Sequence, residues 1–443
     1  MSAYITTLLA QYDALHWRCL TKPQLTPDDI YPVMQTLARL PGIKLTLLGH
    51  SYAGRPIYQL EAGSGDVRIM GWTQMHGDES TATAAVLDWF HILGHQIDAV
   101  APTSLLQRCR LCFIVMLNPD GALANTRRNA QGIDINRDAR ALQTPEGALL
   151  MQQVKRFAPH LAFNLHDQNA YYRAGHASHA PATLSFFAPP FDASQGIDDK
   201  RDRAMHTIAS LYQMLSVHFD AGIARYVDAY SARCFGDTIA RLCSTILIES
   251  GAYLGDPCRQ TARKMNVAAL HYATLRLTGT VDETHPPDYF SIPENIEDGM
   301  CDLLLRHVQL GSTSYRYFAD VSINRIAEHA LITDVGDLKE RCGFTELACD
   351  DWQLLADRPY RVHQPLTLTD TVYKKLLRQG YNRLIDSEDL LTVRTSLPVV
   401  ISRCAGDGPD APDTLRQNIR PALIFTRHDT PCIAVADCTV IRL

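Results

Sequence analysis

The chain has 443 residues and a formal net charge of −6, with acidic and basic side chains interspersed. That length exceeds one typical domain, and the even charge mixture, without a lysine/arginine run, excludes nucleic acid as an expected partner. No stretch reaches the roughly 18 uninterrupted apolar residues of a membrane span. The opening MSAYITTLLAQYDALHW lacks a basic segment followed by a long apolar one, so a soluble, cytoplasmic protein is expected.

Residues 1–45 read as a helical lead-in with breaks at Pro23, Pro27 and Pro41. Turn signals at Ala53-Gly54 and Gly63-Ser64-Gly65 separate short β-rich runs, and Val67 to Trp72 reads as a buried strand ending just before His76. Residues 80–98 carry helical spacing, with Ala85, Trp89 and Ile92/Leu93 on one side. Leu111 to Leu117 reads as a strand stopped by Asn118-Pro119-Asp120-Gly121. Pro145 to Phe157 reads as a helix with Thr144 as its cap. Leu161 to Leu165 is a strand ending at His166, Lys200 to His218 a helix, and Thr245 to Ile248 a strand ending at Glu249. This alternation predicts an α/β fold with a mixed, partly parallel sheet flanked by helices, and such sheets place their sites at strand ends.

Twelve cysteines without an export signal are expected as reduced thiols. Cys109 and Cys112 form a CxxC, but on a strand residues three apart point to opposite faces and cannot share an ion. The proline-rich THPPDYFSIPEN marks a boundary near residue 285. The expected organisation is a lead-in over 1–45, a main domain over 46–285, and a smaller accessory domain over 286–443 rich in short strands, with an acidic loop at 406–413.

Four fragments carry chemistry. His76 and Glu79 in HGDE can close on one metal ion, although an HxxE arises by chance and also suits a capped helix start. His166 in NLHD is a third candidate ligand, and three protein ligands with one open position is the catalytic form of a zinc site. Asp134 can fix the tautomer of a ligating histidine. Glu249, after the apolar run TILI, is costly to bury unless paired or used, and near a zinc-bound water it suits a general base. Arg127, Asn136 and Arg137 suit a substrate carboxylate, whereas Arg128 and Arg140 read as solvated. His91 and His95 share a helical face without a third ligand, and His176 and His179 lie in a loop that is either exposed or at a cleft rim.

NPDG, RRN, DINRD, NLHD and IESG, in this order, resemble the M14 metallocarboxypeptidase family over about residues 45–275. HGDE and the short spacing between metal motifs resemble its compact bacterial members. The resemblance implies a zinc carboxypeptidase-like fold, one Zn2+ per chain on His76, Glu79 and His166, and Glu249 as general base and acid. It implies Arg127 at the scissile carbonyl, Asn136 and Arg137 on the terminal carboxylate, and Asp134 behind His76. A mobile tyrosine is expected at Tyr230, with Tyr226 as rival, and Gly236 leaves no charged selector. The substrate implied is a small peptide with a free carboxylate. Alternatives are a murein-peptide amidase, an N-acyl amino acid deacylase, a non-catalytic binding module and, more weakly, a phosphate-binding enzyme. Residues 286–443 are expected to cap the cleft or to pair subunits into a homo-oligomer.

Overall fold

A computed structural model of the protein describes residues 3–102, 104–281, 286–312, 315–350, 352–386, 393–402 and 415–443. The chain divides into two compact units, Met1–Glu297 and Asp298–Leu443.

The first unit is built on strands β1 (Ile43–His50), β2 (Pro56–Ala62), β3 (Val67–Trp72), β4 (Cys109–Val115), β5 (Leu161–Asp167), β6 (Arg173–Ala174), β7 (Ala182–Phe187), β8 (Gly222–Arg225) and β9 (Ser244–Ser250). Eight of them form one mixed sheet in the order β1-β2-β4-β3-β5-β9-β7-β8. The central β4, β3, β5 and β9 run parallel, while β1–β2, β2–β4 and β7–β9 are antiparallel. A parallel centre explains the near-continuous apolar runs, since both faces are covered. β6 pairs instead with Asn295–Ile296, which keeps the chain in the first unit beyond the proline-rich boundary at 285.

The helices of this unit are α1 (Ala3–Leu15), α2 (Pro27–Leu37), α3 (Thr81–Gly94), α4 (Leu105–Arg108), α5 (Pro119–Ala124), α6 (Pro145–Phe157), α7 (Asp199–His218), α8 (Phe235–Ala240) and α9 (Gln260–Leu277). Side-chain alternation along the strands divides the core. Ile69, Leu111, Phe113, Phe163 and Ile246 pack with α1, α2, α3, α7 and α9. Met70, Cys112, Ile114 and Ala162 pack on the other face with α6 and α8. Cys109 and Cys112 accordingly lie in different core layers, and burial pushes both thiols up to about 12. The described cysteines are free thiols.

The lead-in helices are part of the main unit, held by a buried ion pair. Asp88 on α3 is fully buried and accepts from Trp17 N (2.8 Å), Tyr12 OH (2.8 Å), and Arg263 Nε and Nη2 (2.7 Å each). Arg263, on α9, is itself 1% exposed. Removing one member of such a pair costs about 3–5 kcal/mol, because the other charge is left buried alone.

The second unit has a sheet in which Met300–Ser312, Tyr315–Ile326 and His329–Gly336 form an antiparallel meander, with Cys342–Ala348 parallel to the first of them. Ala422–Arg427, Thr430–Ala436 and Thr439–Arg442 form a second meander in the same sheet. Its helix Asp370–Arg378 buries Tyr373, Leu376 and Leu377 against Ile424 and Ala434. The acidic loop at 406–413 lies outside the described residues. No described helix is long and apolar enough to cross a membrane.

Candidate metal centre

The C-terminal ends of β3, β4, β5 and β9 lie together: the segments that follow β3 and β4 carry HGDE and Arg127 to Arg137, while NLHD and Glu249 lie among the last residues of β5 and β9. HGDE and NPDG fix one another through backbone contact. A Cβ built on Gly77 would lie 2.0 Å from the carbonyl carbon of Gly121, so neither loop could approach as it does with a side chain at 77. Gly77 N donates to Thr126 O (3.0 Å), and Asn118 caps α5 by accepting from Gly121 N (2.9 Å). Asp120 accepts from Ser51 Oγ, Ala53 N and Arg55 Nη1, which anchors the NPDG turn to the β1–β2 hairpin. Gln74 adopts a left-handed φ of 49°, held by bonds from its side chain to Leu25 O and Gly77 O.

Among the described residues one group of three metal-ligating side chains converges. Ligand atoms of His76, Glu79 and His166 lie within 4.8 Å of one another. His76 Nδ1 is 2.7 Å from Glu79 Oε1, and His166 Nδ1 is 2.7 Å from Glu79 Oε2. His76 Nε2 lies 3.1 Å from Asp134 Oδ1, an acceptor, so its proton belongs on Nε2 and its lone pair on Nδ1. Arg127 Nη1, which can only donate, also approaches Nδ1 at 3.1 Å. Without a proton, Nδ1 faces the Glu79 carboxylate as a second acceptor; with one, it faces Arg127 as a second donor. A divalent cation shared by His76, Glu79 and His166 would take the lone pair of the unprotonated Nδ1 and relieve its opposition to the Glu79 carboxylate. Two imidazoles and one carboxylate suit zinc.

The titration of these groups follows from their packing. Burial opposes ionisation of Glu79, but the two imidazoles outweigh it and hold the carboxyl below its ordinary range. Burial also works against the charged form of His76, yet Glu79 and Asp134 carry its pKa upward. For His166 burial prevails and the pKa falls, which keeps a neutral ring as ligation requires.

Glu249 pairs in register with His166 across β5 and β9. Burial, then the negative charges of Glu79 and Asp167, raise its carboxyl well above the ordinary range. Asp167 accepts from Thr81 N (3.1 Å) and Oγ1 (2.8 Å), which fastens the start of α3 to the end of β5. Both β5 and β9 continue through these residues, although sequence pattern ends them at His166 and Glu249; the parallel ladder carries on to the Asp167–Ser250 pair.

A cleft of about 230 Å³ opens beside these groups, with Arg127, Asn136, Arg137 and Glu249 in its lining. Arg127 is held by Asp134 Oδ2 (3.0 Å). Asn136 accepts from Phe235 N through Oδ1 (2.9 Å), which leaves its donating Nδ2 for the cleft. Arg137 Nη1 donates to Asn136 O (2.8 Å) and to Cys234 Sγ (3.2 Å).

The tyrosine expected at position 230 is elsewhere. Tyr230 hydrogen-bonds Arg241 and receives its guanidinium over the ring at 5.6 Å. Tyr226 lines the cleft instead, and burial followed by the charge of Glu249 raises its hydroxyl pKa. Tyr172, which sequence pattern did not single out, lines the cleft too, with its ring 6.3 Å from that of Tyr226. Asn164 is a second omission, and alternation marks it: two residues before His166, it shares that strand face. The helical pair His91 and His95 meet Nε2 to Nε2 at 3.0 Å, and His91 Nδ1 is engaged by Leu15 O. His176 and His179 are exposed.

Residues 30–186 match the family model described as zinc carboxypeptidase, peptidase M14. No curated protein matches the sequence. A metallo-carboxypeptidase from Burkholderia cenocepacia is 16% identical with a TM-score of 0.48, over 58% of this chain and 70% of that one. Carboxypeptidase A from Helicoverpa armigera is 15% identical with a TM-score of 0.47, over 63% of this chain and 80% of that one. A metallo-carboxypeptidase from Pseudomonas aeruginosa, solved with (2-guanidinoethylmercapto)succinic acid, is 17% identical with a TM-score of 0.45, over 57% and 70%. The matched span holds His76, Glu79, Arg127, Asn136, Arg137 and His166, and residues 30–186 of the first unit are thus similar to the zinc carboxypeptidase domain of the peptidase M14 family.

Proposed function

We propose that this chain is a zinc-dependent metallocarboxypeptidase that hydrolyses the amide bond next to a free C-terminal carboxylate. The observation that carries this reading is the convergence of His76, Glu79 and His166 beside Glu249, in a cleft that also presents Asn136 and Arg137. His76, Glu79 and His166 would hold the ion, with His76 kept in the ligating tautomer by Asp134. Zinc bound there supplies Lewis acidity and lowers the pKa of water.

Glu249 takes the proton of the attacking water and later delivers it to the leaving amine nitrogen. Its raised affinity for a proton suits that exchange, and a nearby dication lowers it toward the working range. Arg127, a fixed positive charge over the ligand cluster, steadies the negative charge that develops on the carbonyl oxygen. Asn136 Nδ2 and the Arg137 guanidinium take the terminal carboxylate, so the cleft prefers chain ends. Tyr226, which lines the same cleft as Glu249, would close over a bound substrate.

The test is metal content of the purified chain together with chelator-sensitive hydrolysis of three substrates: an N-acylated C-terminal dipeptide, a γ-D-glutamyl-diaminopimelate peptide and an N-acyl amino acid. The proposal expects about one zinc per chain and release of a C-terminal residue, abolished by chelator and restored by zinc. Release of only the acyl group would transfer the protein to the deacylases. Neither metal nor turnover would favour a binding module.

A further inference from the structure

We infer that Asn164 makes the inner end of the cleft selective for a substrate whose C-terminal residue carries a carboxamide, as glutamine does. The inference rests on the carboxypeptidase reading above.

The strands place this residue. Along β5, Asn164 and His166 share a face; along β9, so do Leu247 and Glu249. Asn164 and Leu247 are partners in register, as are His166 and Glu249. The Asn164–Leu247 row therefore lies one two-residue step, roughly 6.6 Å, behind the row of the third ligand and the base. Asn164 and Leu247 line the same cleft as Asn136 and Arg137, so that row is available to the side chain of a terminal residue whose carboxylate those two would take.

Asn164 is 1% exposed, lines the cleft, and neither its Oδ1 nor its Nδ2 has a partner. Native proteins pair more than about nine in ten buried polar groups. Asn136, the same residue type in the same cleft, spends its oxygen on Phe235 N–H; Asn164 spends neither atom. Trp72, its partner in register on β3, does not supply a bond, since its indole nitrogen is also unpartnered. The space in front of the amide is kept open by Gly236. A Cβ there would lie 3.2 Å from Asn164 Nδ2 and 3.5 Å from Pro189 Cγ.

The pair of unmet atoms defines the ligand chemistry. A carboxamide offers a donor to Oδ1 and an acceptor to Nδ2 at once. An apolar side chain strands both, and an ammonium strands Nδ2. A carboxylate strands Oδ1 and approaches Asp237, which also lines this end of the cleft. Burial pushes Asp237 up to about 6, so it still carries charge at neutral pH.

The test uses the full chain loaded with zinc and N-benzoylglycyl dipeptides ending in glutamine, asparagine, methionine, glutamate or lysine. Methionine is the near-isosteric apolar control. Expected is a kcat/KM for glutamine at least about a hundredfold above methionine, because buried polar groups left unpaired are penalised heavily. Asn164→Leu is expected to bring that ratio to within about threefold or to reverse it. Gly236→Ala, which leaves the strands untouched, lowers the glutamine rate by crowding the amide. A wild type that favours methionine, glutamate or lysine overturns the inference, as does an Asn164→Leu chain that keeps the glutamine preference. Calorimetry with free L-glutamine and L-methionine needs no turnover. Glutamine bound at least tenfold tighter supports the inference even if no dipeptide is cleaved and the carboxypeptidase reading falls. Equal binding, or none, sinks it while leaving that reading to its own test.

Discussion

Replacing Gly77 by alanine puts the metal centre itself under steric load. The added Cβ would sit 2.0 Å from Gly121 C, 2.2 Å from Ala122 N and 2.4 Å from Gly121 O. The nearest of these falls about 1.4 Å short of the 3.4 Å at which ordinary contact begins. All three atoms are backbone at the capped start of α5, where Asn118 and the Asp120 network resist movement, so HGDE must give way. Gly77 is the immediate neighbour of His76, and metal–ligand distances tolerate only about 0.2 Å. Zinc affinity should fall by at least roughly a hundredfold, the upper end of what losing an outer partner costs. The overpacking should also cost about 1–3 kcal/mol of stability. The assay is competition for zinc against a chromophoric chelator, with thermal melting alongside. Gly196→Ala is the control, since its nearest neighbours are side-chain atoms at 3.4 Å or beyond. A Gly77→Ala chain that binds zinc within threefold of wild type and melts at the same temperature would refute the reasoning.

Three further outcomes are expected. Glu249→Gln should retain zinc but lose about 10²–10⁴ in turnover; undiminished hydrolysis removes Glu249 from the chemistry. Asp134→Asn can turn a donor toward His76 Nε2, and zinc affinity measured by the same competition should drop about 10–100-fold, with an unchanged affinity telling against tautomer control. His271 is fully buried, accepts from Trp89 Nε1 (3.2 Å) and donates from Nε2 to Val100 O (2.9 Å), and burial lowers its pKa to about 4. The unfolded chain binds that proton near 6.5 and the folded chain only near 4, so this stability is complete above 6.5 and is lost as pH falls through the window. The loss should approach about 3 kcal/mol, and His271→Gln should flatten it; urea midpoints at pH 4.5 and 7 that shift equally in both chains would count against the assignment.

His166 and Glu249, which the structure brings side by side, stand out in the sequence because parallel strands are apolar on both faces and the apolar runs stop there. Thr144 as a cap was equally legible: its hydroxyl accepts from Gly147 N, with Pro145 at the first helical position. What pattern could not settle lay in irregular backbone. Residues between β8 and α8 have no period, so spacing alone favoured Tyr230, and only the fold brings Tyr226 to the cleft. Asn164 sat in plain view within NLHD, but its unpaired amide is a property of packing. The second unit was least legible. Its long strands follow a bulge between Leu305 and Val308, and a one-residue shift swaps the faces on which alternation is read.

The Asp88 network makes the leading residues part of the core of the first unit. Two of the four donors on that buried carboxylate, the Tyr12 hydroxyl and the Trp17 amide, come from the first 20 residues, and the other two come from α9 near the far end of the same unit. A protease that removed these residues would cut into the core. It would leave a starved ion pair in the core and an apolar groove where Ile5 and Leu8 had been. The leading helices are thus a structural part of this unit, and their removal is expected to cost stability by leaving the Asp88–Arg263 pair short of donors.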